Sequence, residues 1–314
     1  MEGLVTRTTG SWYKVISDSD GGRKCYDCRL RGNYRLRGNK QTNPVAVGDL
    51  VMFDLQTDGT GIISEVHDRE NYIVRRATKL SKQTHVIAAN IDLLCIVASL
   101  HLPRTSTGFI DRLLVTAEAY HIPACLIFNK IDLYDDALLE QLSHLQTLYW
   151  NAGYRSFGVS ALHGIGMDKV KEAIRGKRVL FSGHSGVGKS ALLNAIDPTL
   201  NLRVGDISQW SLKGKHTTTF AEIFPLLVDG SPTYLIDSPG IKEFGMVDIT
   251  EEELSHFFPE MRERLHGCRF NTCTHTHEPG CAIKQAVEEG EISTERYENY
   301  LGILNQIQTG NLPW

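Results

Sequence analysis

Apolar positions along the chain change their period twice. Over residues 1–77 they come in short stretches punctuated by Gly, Asn and Asp: GLVTRTTGSWYKVIS, YDCRLRG, GDLVMFDL, GTGIISEVH and NYIVRR. Five such strands without a helical period predict a small antiparallel barrel, of the OB or SH3-like kind. From about residue 80 to 245, buried runs (IAANIDLLCIVAS, ACLIFNK, FGVS, RVLFSG, AEIFPLLV, YLIDSPG) alternate with helical segments. One of these, LLEQLSHLQTLYWNAGY, sets Leu138, Leu142, Leu145 and Tyr149 on a single helical face. That alternation predicts an α/β domain with a largely parallel sheet, whose ligands bind at the carboxyl ends of the strands. Beyond residue 246 the pattern is helical. Thr250 and Glu253 form a capping box ahead of Leu254 and Phe257, and a second helix is expected from Ser293 through Leu304. These shifts divide the chain into three domains, at residues 1–77, 78–245 and 246–314.

With 314 residues, 41% apolar and 22% charged, the composition is that of a soluble globular protein. The sequence MEGLVTRTTGSWYKV lacks a basic segment followed by an apolar one. No apolar run approaches the roughly 18 residues of a membrane span, so a cytoplasmic protein without membrane association is expected. A net charge of -4 argues on average against a polyanionic partner, but the average conceals a division. Residues 1–80 hold 13 Lys+Arg against 10 Asp+Glu, leaving 20 against 27 for the rest. Arg23, Lys24, Arg29, Arg31, Arg35, Arg37 and Lys40 crowd one stretch that contains the single acid Asp27 and also Tyr34. Cations interleaved with a ring suit a nucleic-acid groove, where phosphates meet charge and bases stack. A solvated strand face is the plainer reading. The isolated Cys25 and Cys28 pair lacks the second pair that a zinc site needs.

The motif GHSGVGKS, residues 183–190, follows an apolar strand and precedes the helical ALLNAI. In that context GxxxxGK[ST] is a phosphate loop. The backbone amides of Gly183, His184, Ser185, Gly186, Val187 and Gly188 turn toward phosphate oxygens, Lys189 reaches the β and γ phosphates, and Ser190 offers its hydroxyl to Mg²⁺. DSPG, residues 237–240, ends another strand. There Asp237 suits Mg²⁺ through water, and the Gly240 amide suits the γ-phosphate. Thr217, Thr218 and Thr219 in KGKHTTTF supply hydroxyls in a polar loop between the two.

NKID brings Asn129, Lys130 and Asp132 to the end of a strand. A carboxylate there accepts both N1–H and the exocyclic amine of guanine, a donor pair that adenine lacks. VSALHGIG places Ser160 and Ala161 to meet the guanine O6. Together with the phosphate loop these imply GTP and GDP. In CRFNTCTHTHEPGC, Cys268, Cys273, His275, His277 and Cys281 provide three thiolates and a choice of imidazole for tetrahedral zinc. Such a site has no open position and is structural. Cys95 and Cys125 lie in apolar strands as core residues.

The order of the motifs, base loops before phosphate loop, is a circular permutation of the usual GTPase. With a basic barrel in front and a Cys/His segment behind, the chain resembles the RsgA (YjeQ) family of GTPases that depend on the small ribosomal subunit. The resemblance covers essentially the whole sequence. It implies an N-terminal OB-fold, a circularly permuted P-loop GTPase domain and a C-terminal helical zinc-binding domain. It also implies hydrolysis of GTP stimulated by the small (30S) subunit, binding to its rRNA near the decoding region, late subunit maturation, and release of the assembly factor RbfA. A monomer is expected. The family's C-x4-C-x-H-x5-C pattern selects His275 over His277. Where many GTPases carry a water-orienting Gln after DxxG, this chain has Ile241. The resemblance then points to His216 for that role and to Thr218 for the Mg²⁺ contact. Ile241 also keeps open a nucleotide-gated RNA-binding module with incidental turnover. A zinc hydrolase with a regulatory phosphate loop is disfavoured by the closed ligand set.

Overall fold

The computed structural model describes residues 1–18, 22–32, 43–76, 84–200, 202, 221–237 and 249–310. The barrel consists of β1 (Glu2–Thr9), β2 (Trp12–Ser17), β3 (Lys24–Leu30), β4 (Leu50–Leu55) and β5 (Gly61–Val66). Its order is β1-β2-β3-β5-β4, closed by β1 against β4, with β3 and β5 parallel. This is a five-stranded Greek-key barrel of the OB type. Val5, Tyr13, Val15, Cys28, Val51, Phe53 and Ile63 fill its interior.

The expected strand membership needs two corrections. GLVTRTTGSWYKVIS is a hairpin, because Gly10 at φ +68 lets the chain reverse between Thr9 and Trp12. NYIVRR is outside the barrel. As β6 (Tyr72–Arg76) it pairs antiparallel with β7 (Thr84–Ala89) in a separate two-stranded sheet.

The chain divides into two compact units. The first holds the barrel, the β6–β7 hairpin, β11 (Arg178–Ser182), β12 (Glu222–Val228) and β13 (Ser231–Asp237). In it β11 runs parallel to β13, β12 runs antiparallel to β13, and β12 continues onto β1 through Arg7 and Glu222. The second unit contains the parallel strands β8 (Leu93–Ala98), β9 (Ala124–Phe128) and β10 (Arg155–Gly158) in the order β10-β9-β8. All six residues of β8 are buried, as a parallel strand covered on both faces requires.

Helices α1 (Thr107–Ala119), α2 (Asp136–Asn151), α3 (Met167–Ile174) and α4 (Lys189–Ile196) connect or extend these strands. Ser106 caps α1 by accepting from the Phe109 amide, and Asp135 caps α2 by accepting from the Leu138 amide. Leu142, Leu145 and Tyr149 are buried along α2, while Leu138 is half-buried.

The C-terminal part of the second unit contains α5 (Pro259–Arg262), α6 (Ala282–Glu288) and α7 (Thr294–Thr309). The Glu253 carboxylate accepts from the Thr250 amide and hydroxyl at 3.1 and 2.9 Å. The segment this box opens is only the 3-10 turn Leu254–Phe257, shorter than the expected helix. Phe258 precedes a proline and is held extended, so the helix restarts at Pro259. The second expected helix is α7, and it stops at Gly310 in the left-handed conformation. Val115 of α1 shares a core with Leu254, Phe258, Met261, Ile283, Tyr300 and Ile303.

Candidate functional site

The phosphate loop leaves β11 at Gly183 and enters α4 at Lys189. Two of its glycines are obligatory. Gly183, at φ +150, would put a Cβ 2.2 Å from the Val97 carbonyl oxygen. Gly188, at φ +95, would put one 2.4 Å from Asn129 Nδ2. Lys189 arches back over the loop, donating to the Gly183 and His184 carbonyls at 2.7 and 2.8 Å. The Ser190 hydroxyl is in the buried first turn of α4, whose amino end carries the positive pole of the helix dipole. The His184 ring stacks on Phe109 with centroids 3.7 Å apart. Burial, aided by the Lys189 and Arg112 charges, lowers its pKa and favours the neutral imidazole.

Asn129 comes directly after β9 and is 2% exposed. Its Nδ2 donates to the Val187 carbonyl at 3.0 Å, and its Oδ1 accepts from the Ala161 amide at 3.1 Å. One side chain therefore ties NKID to the phosphate loop and to the VSAL loop. Lys130 adopts a left-handed φ of +68 and donates to the Leu102 carbonyl. Asp132 lies in the 3-10 turn Ile131–Leu133 and remains solvent-accessible, with His163 Nε2 at 3.8 Å from Oδ2. Ser160 is buried and bridges to Ile165 through both backbone groups at 3.0 and 3.1 Å. Phe109 and His163 carry no motif signal in the sequence. Their contacts arise from a helix and a loop that only the fold brings together.

Asp237 is the last residue of β13. His216, Thr217, Thr218, Thr219, Gly240 and Ile241 lie outside the described residues. So do Tyr34, Arg35, Arg37 and Lys40 of the basic stretch. Within it Arg29 is described, and its guanidinium lies 3.9 Å above the Trp12 ring centroid on the outer barrel face. Cys25 is exposed and Cys28 buried, since residues i and i+3 of a strand face opposite sides. They cannot share a ligand.

The ligand atoms of Cys268, Cys273, His275 and Cys281 lie within 4.8 Å of one another. His275 enters through Nδ1, which is 3.6 Å from Cys268 Sγ and 3.4 Å from Cys281 Sγ. His277 is exposed and bonds to Thr276 Oγ1 instead. Burial drives the Cys273 thiol up to about 12, so thiolates here need a compensating cation. Three sulfurs and one nitrogen converging in a desolvated pocket fit Zn²⁺. The surroundings hold the ligand loop in place. Tyr297 and Tyr300 of α7 donate to the His275 and Thr274 carbonyls at 2.6 and 2.9 Å, and Cys281 Sγ caps α6 at the Lys284 amide.

Residues 66–247 match the profile of the RsgA GTPase family, and residues 2–63 match that of the RsgA N-terminal domain. The chain belongs to the RsgA GTPase family. It is a GTP-hydrolysing enzyme acting on guanine nucleotide. A Bacteroides fragilis protein named small ribosomal subunit biogenesis GTPase RsgA is 50% identical over 310 residues, covering 99% of this chain and 98% of the relative. A Porphyromonas gingivalis protein of the same name is 48% identical over 308 residues, 97% and 96% of the two chains. Among solved structures, YjeQ from Thermotoga maritima superposes with a TM-score of 0.80 at 34% identity, covering 98% of each chain. YloQ, described as a circularly permuted GTPase, gives 0.77 at 30% identity, with 100% of this chain and 96% of that one covered. The RsgA assignment agrees with the barrel, the permuted motif order and the Cys3His cluster. No helix among the described residues is long and apolar enough to cross a membrane.

Proposed function

We propose that this RsgA-family chain hydrolyses GTP to GDP and phosphate in response to the small ribosomal subunit, and that it acts in late maturation of that subunit. The double bridge of Asn129, to Val187 O and from the Ala161 amide, carries the nucleotide reading, because it joins base loops and phosphate loop into one site. Asp132 pairs with N1–H and the 2-amino group of guanine, and the Ala161 and Ser160 segment meets O6. Amides of residues 183–188 and the α4 amino end cradle the phosphates, while Lys189 leaves the loop carbonyls for the β,γ oxygens. Ser190, Thr218 and, through water, Asp237 would hold Mg²⁺, which would supply positive charge against the phosphates. The Gly240 amide meets the γ-phosphate, and His216 orients the attacking water. The zinc cluster is structural.

The ribosomal part of the proposal rests on the relatives' names and on the basic barrel. Its Arg23–Lys40 stretch contacts rRNA, the subunit accelerates turnover, and the protein helps release RbfA. The domains are residues 1–77 for RNA, 78–245 for GTP and 246–314 for zinc, in a cytoplasmic monomer. Phosphate release from GTP and from ATP, with and without purified small subunits, tests this. Subunit-dependent turnover of GTP alone is expected. Slow turnover that subunits do not change, accompanied by GTP-dependent RNA binding, would favour the RNA-binding module that Ile241 leaves open.

A further inference from the structure

Tyr134 is only 9% exposed, and its hydroxyl bridges two backbone groups. It accepts from the Leu100 amide at 2.7 Å and donates to the Asn129 carbonyl at 3.0 Å. Leu100 and Asn129 lie just past the ends of the paired strands β8 and β9, where the last ladder bond runs from Asn129 N to Ala98 O at 2.8 Å. Beyond it the two chains diverge, and the Tyr134 hydroxyl replaces the missing ladder bond. It also closes a ring of covalent and hydrogen bonds. From Asn129 the chain passes through left-handed Lys130 and the turn bearing Asp132, held by Leu133 N to Lys130 O at 3.0 Å and Tyr134 N to Ile131 O at 3.1 Å. The hydroxyl then returns to Asn129. A left-handed non-glycine residue such as Lys130 persists only where its flanks are fixed. The Asn129 side chain fixes one flank, and the Tyr134 hydroxyl fixes the other.

We propose that Tyr134 is a positioning residue for guanine recognition. Its hydroxyl holds the turn that aims the Asp132 carboxylate at the 2-amino group. This rests on NKID being the guanine-reading loop. Phenylalanine keeps the ring and removes only the hydroxyl, leaving the Leu100 amide and Asn129 carbonyl unpaired in a buried place. The turn then loses its closure, and the contact that suffers is the one distinguishing guanine from hypoxanthine.

The test measures equilibrium affinities of the full chain for GDP, IDP and ADP, in the wild type and in Tyr134→Phe, together with kcat at saturating GTP. Wild type should prefer GDP over IDP, with ADP weakest. Tyr134→Phe should lower the GDP:IDP affinity ratio by about tenfold, as expected for one lost hydrogen-bond-scale contact, while kcat stays within about twofold. A merely structural role lowers the melting temperature and leaves the ratio unchanged, and that outcome overturns the proposal. If the Phe variant does not fold, 4-aminophenylalanine in place of Tyr134 keeps the donor to Asn129 but offers Leu100 a poor acceptor. A drop in the ratio there supports the proposal, and an unchanged ratio overturns it. Wild-type protein binding ADP as tightly as GDP would refute the guanine reading itself.

Discussion

Arg296 on α7 places Nη1 2.6 Å from Asp111 Oδ1 on α1, an ion pair spanning 185 residues of sequence. Both side chains are essentially sealed from solvent, at 2% and 0% exposure. Glu260 of α5 takes the rest of the fork, from Nε at 2.7 Å and Nη2 at 3.1 Å. Tyr149 and Asn299 complete Asp111 at 3.0 and 2.7 Å, and the Phe258 ring lies 4.6 Å below the guanidinium. Burial opposes charge on Arg296, but Asp111 and Glu260 outweigh it and hold the guanidinium above its usual pKa. Helix α1 of the nucleotide-binding region is thereby fastened to the helices around the metal cluster.

Removing one partner of such a buried network leaves an uncompensated charge, at a cost of about 3–5 kcal/mol. Arg296→Ala should therefore lower the unfolding free energy by roughly that amount in denaturant titration. Arg296→Lys should recover only part of it, since an ammonium cannot engage both carboxylates in a fork.

Gly188→Ala places a methyl group 2.4 Å from Asn129 Nδ2, on a backbone with positive φ. Loss of GDP binding in calorimetry, with a near-normal circular dichroism spectrum, is the expected outcome. Substitution at Gly153, where φ is +91 but an added Cβ meets nothing within 4 Å, should leave nucleotide affinity unchanged.

The metal cluster makes a proton prediction. With burial raising Cys273 to about 12, its metal-free thiol is protonated at neutral pH, so loading zinc must displace that proton. Zinc affinity should rise with pH, and titrating zinc into chelator-stripped protein in weak buffer should acidify it. Cys281→Ala should lose zinc and weaken the start of α6 together, because the same sulfur caps that helix, whereas Cys281→Ser should lose zinc and keep the cap.

Glu278 supplies an acid limit. Burial works against its charge, but bonds from the Thr274 hydroxyl and amide and from the Thr276 amide prevail and depress its pKa from 4.5 to about 2. A depressed carboxylate stabilises the fold above its unfolded pKa, and that contribution fades as pH falls from about 4.5 through 2. Thermal melts of wild type and Glu278→Gln, both stripped of metal by chelator so that zinc loss does not contribute, should differ near neutral pH and converge as pH falls through that window.

Much of the site was legible in the sequence because phosphate and guanine chemistry constrain local spacing. GHSGVGKS and NKID each carry their own strand end and turn, so Lys189 and Asn129 could be placed without a fold. The Cys3His set was legible for the same reason, apart from the choice of His275. The features that stayed hidden depend on distance along the chain. Arg296 and Asp111 look like solvated helix charges until 185 residues of intervening chain bring them together. Tyr134 reads as an ordinary aromatic after NKID, because its two partners are backbone groups without a sequence signature. The hairpin at Gly10 was concealed by continuous strand-forming residues on both sides. NYIVRR had the composition of a barrel strand, but its partner is β7.

NKID, placed before the phosphate loop, is proposed to read the base of the nucleotide hydrolysed at Lys189. Asp132→Asn tests it most directly, since an amide offers one acceptor and one donor where guanine needs two acceptors, and so matches xanthine instead. Phosphate release with small subunits present should fall for GTP by about a hundredfold or more and rise for XTP in this variant. Unchanged GTP turnover, with no gain for XTP, would show that Asp132 does not read the base.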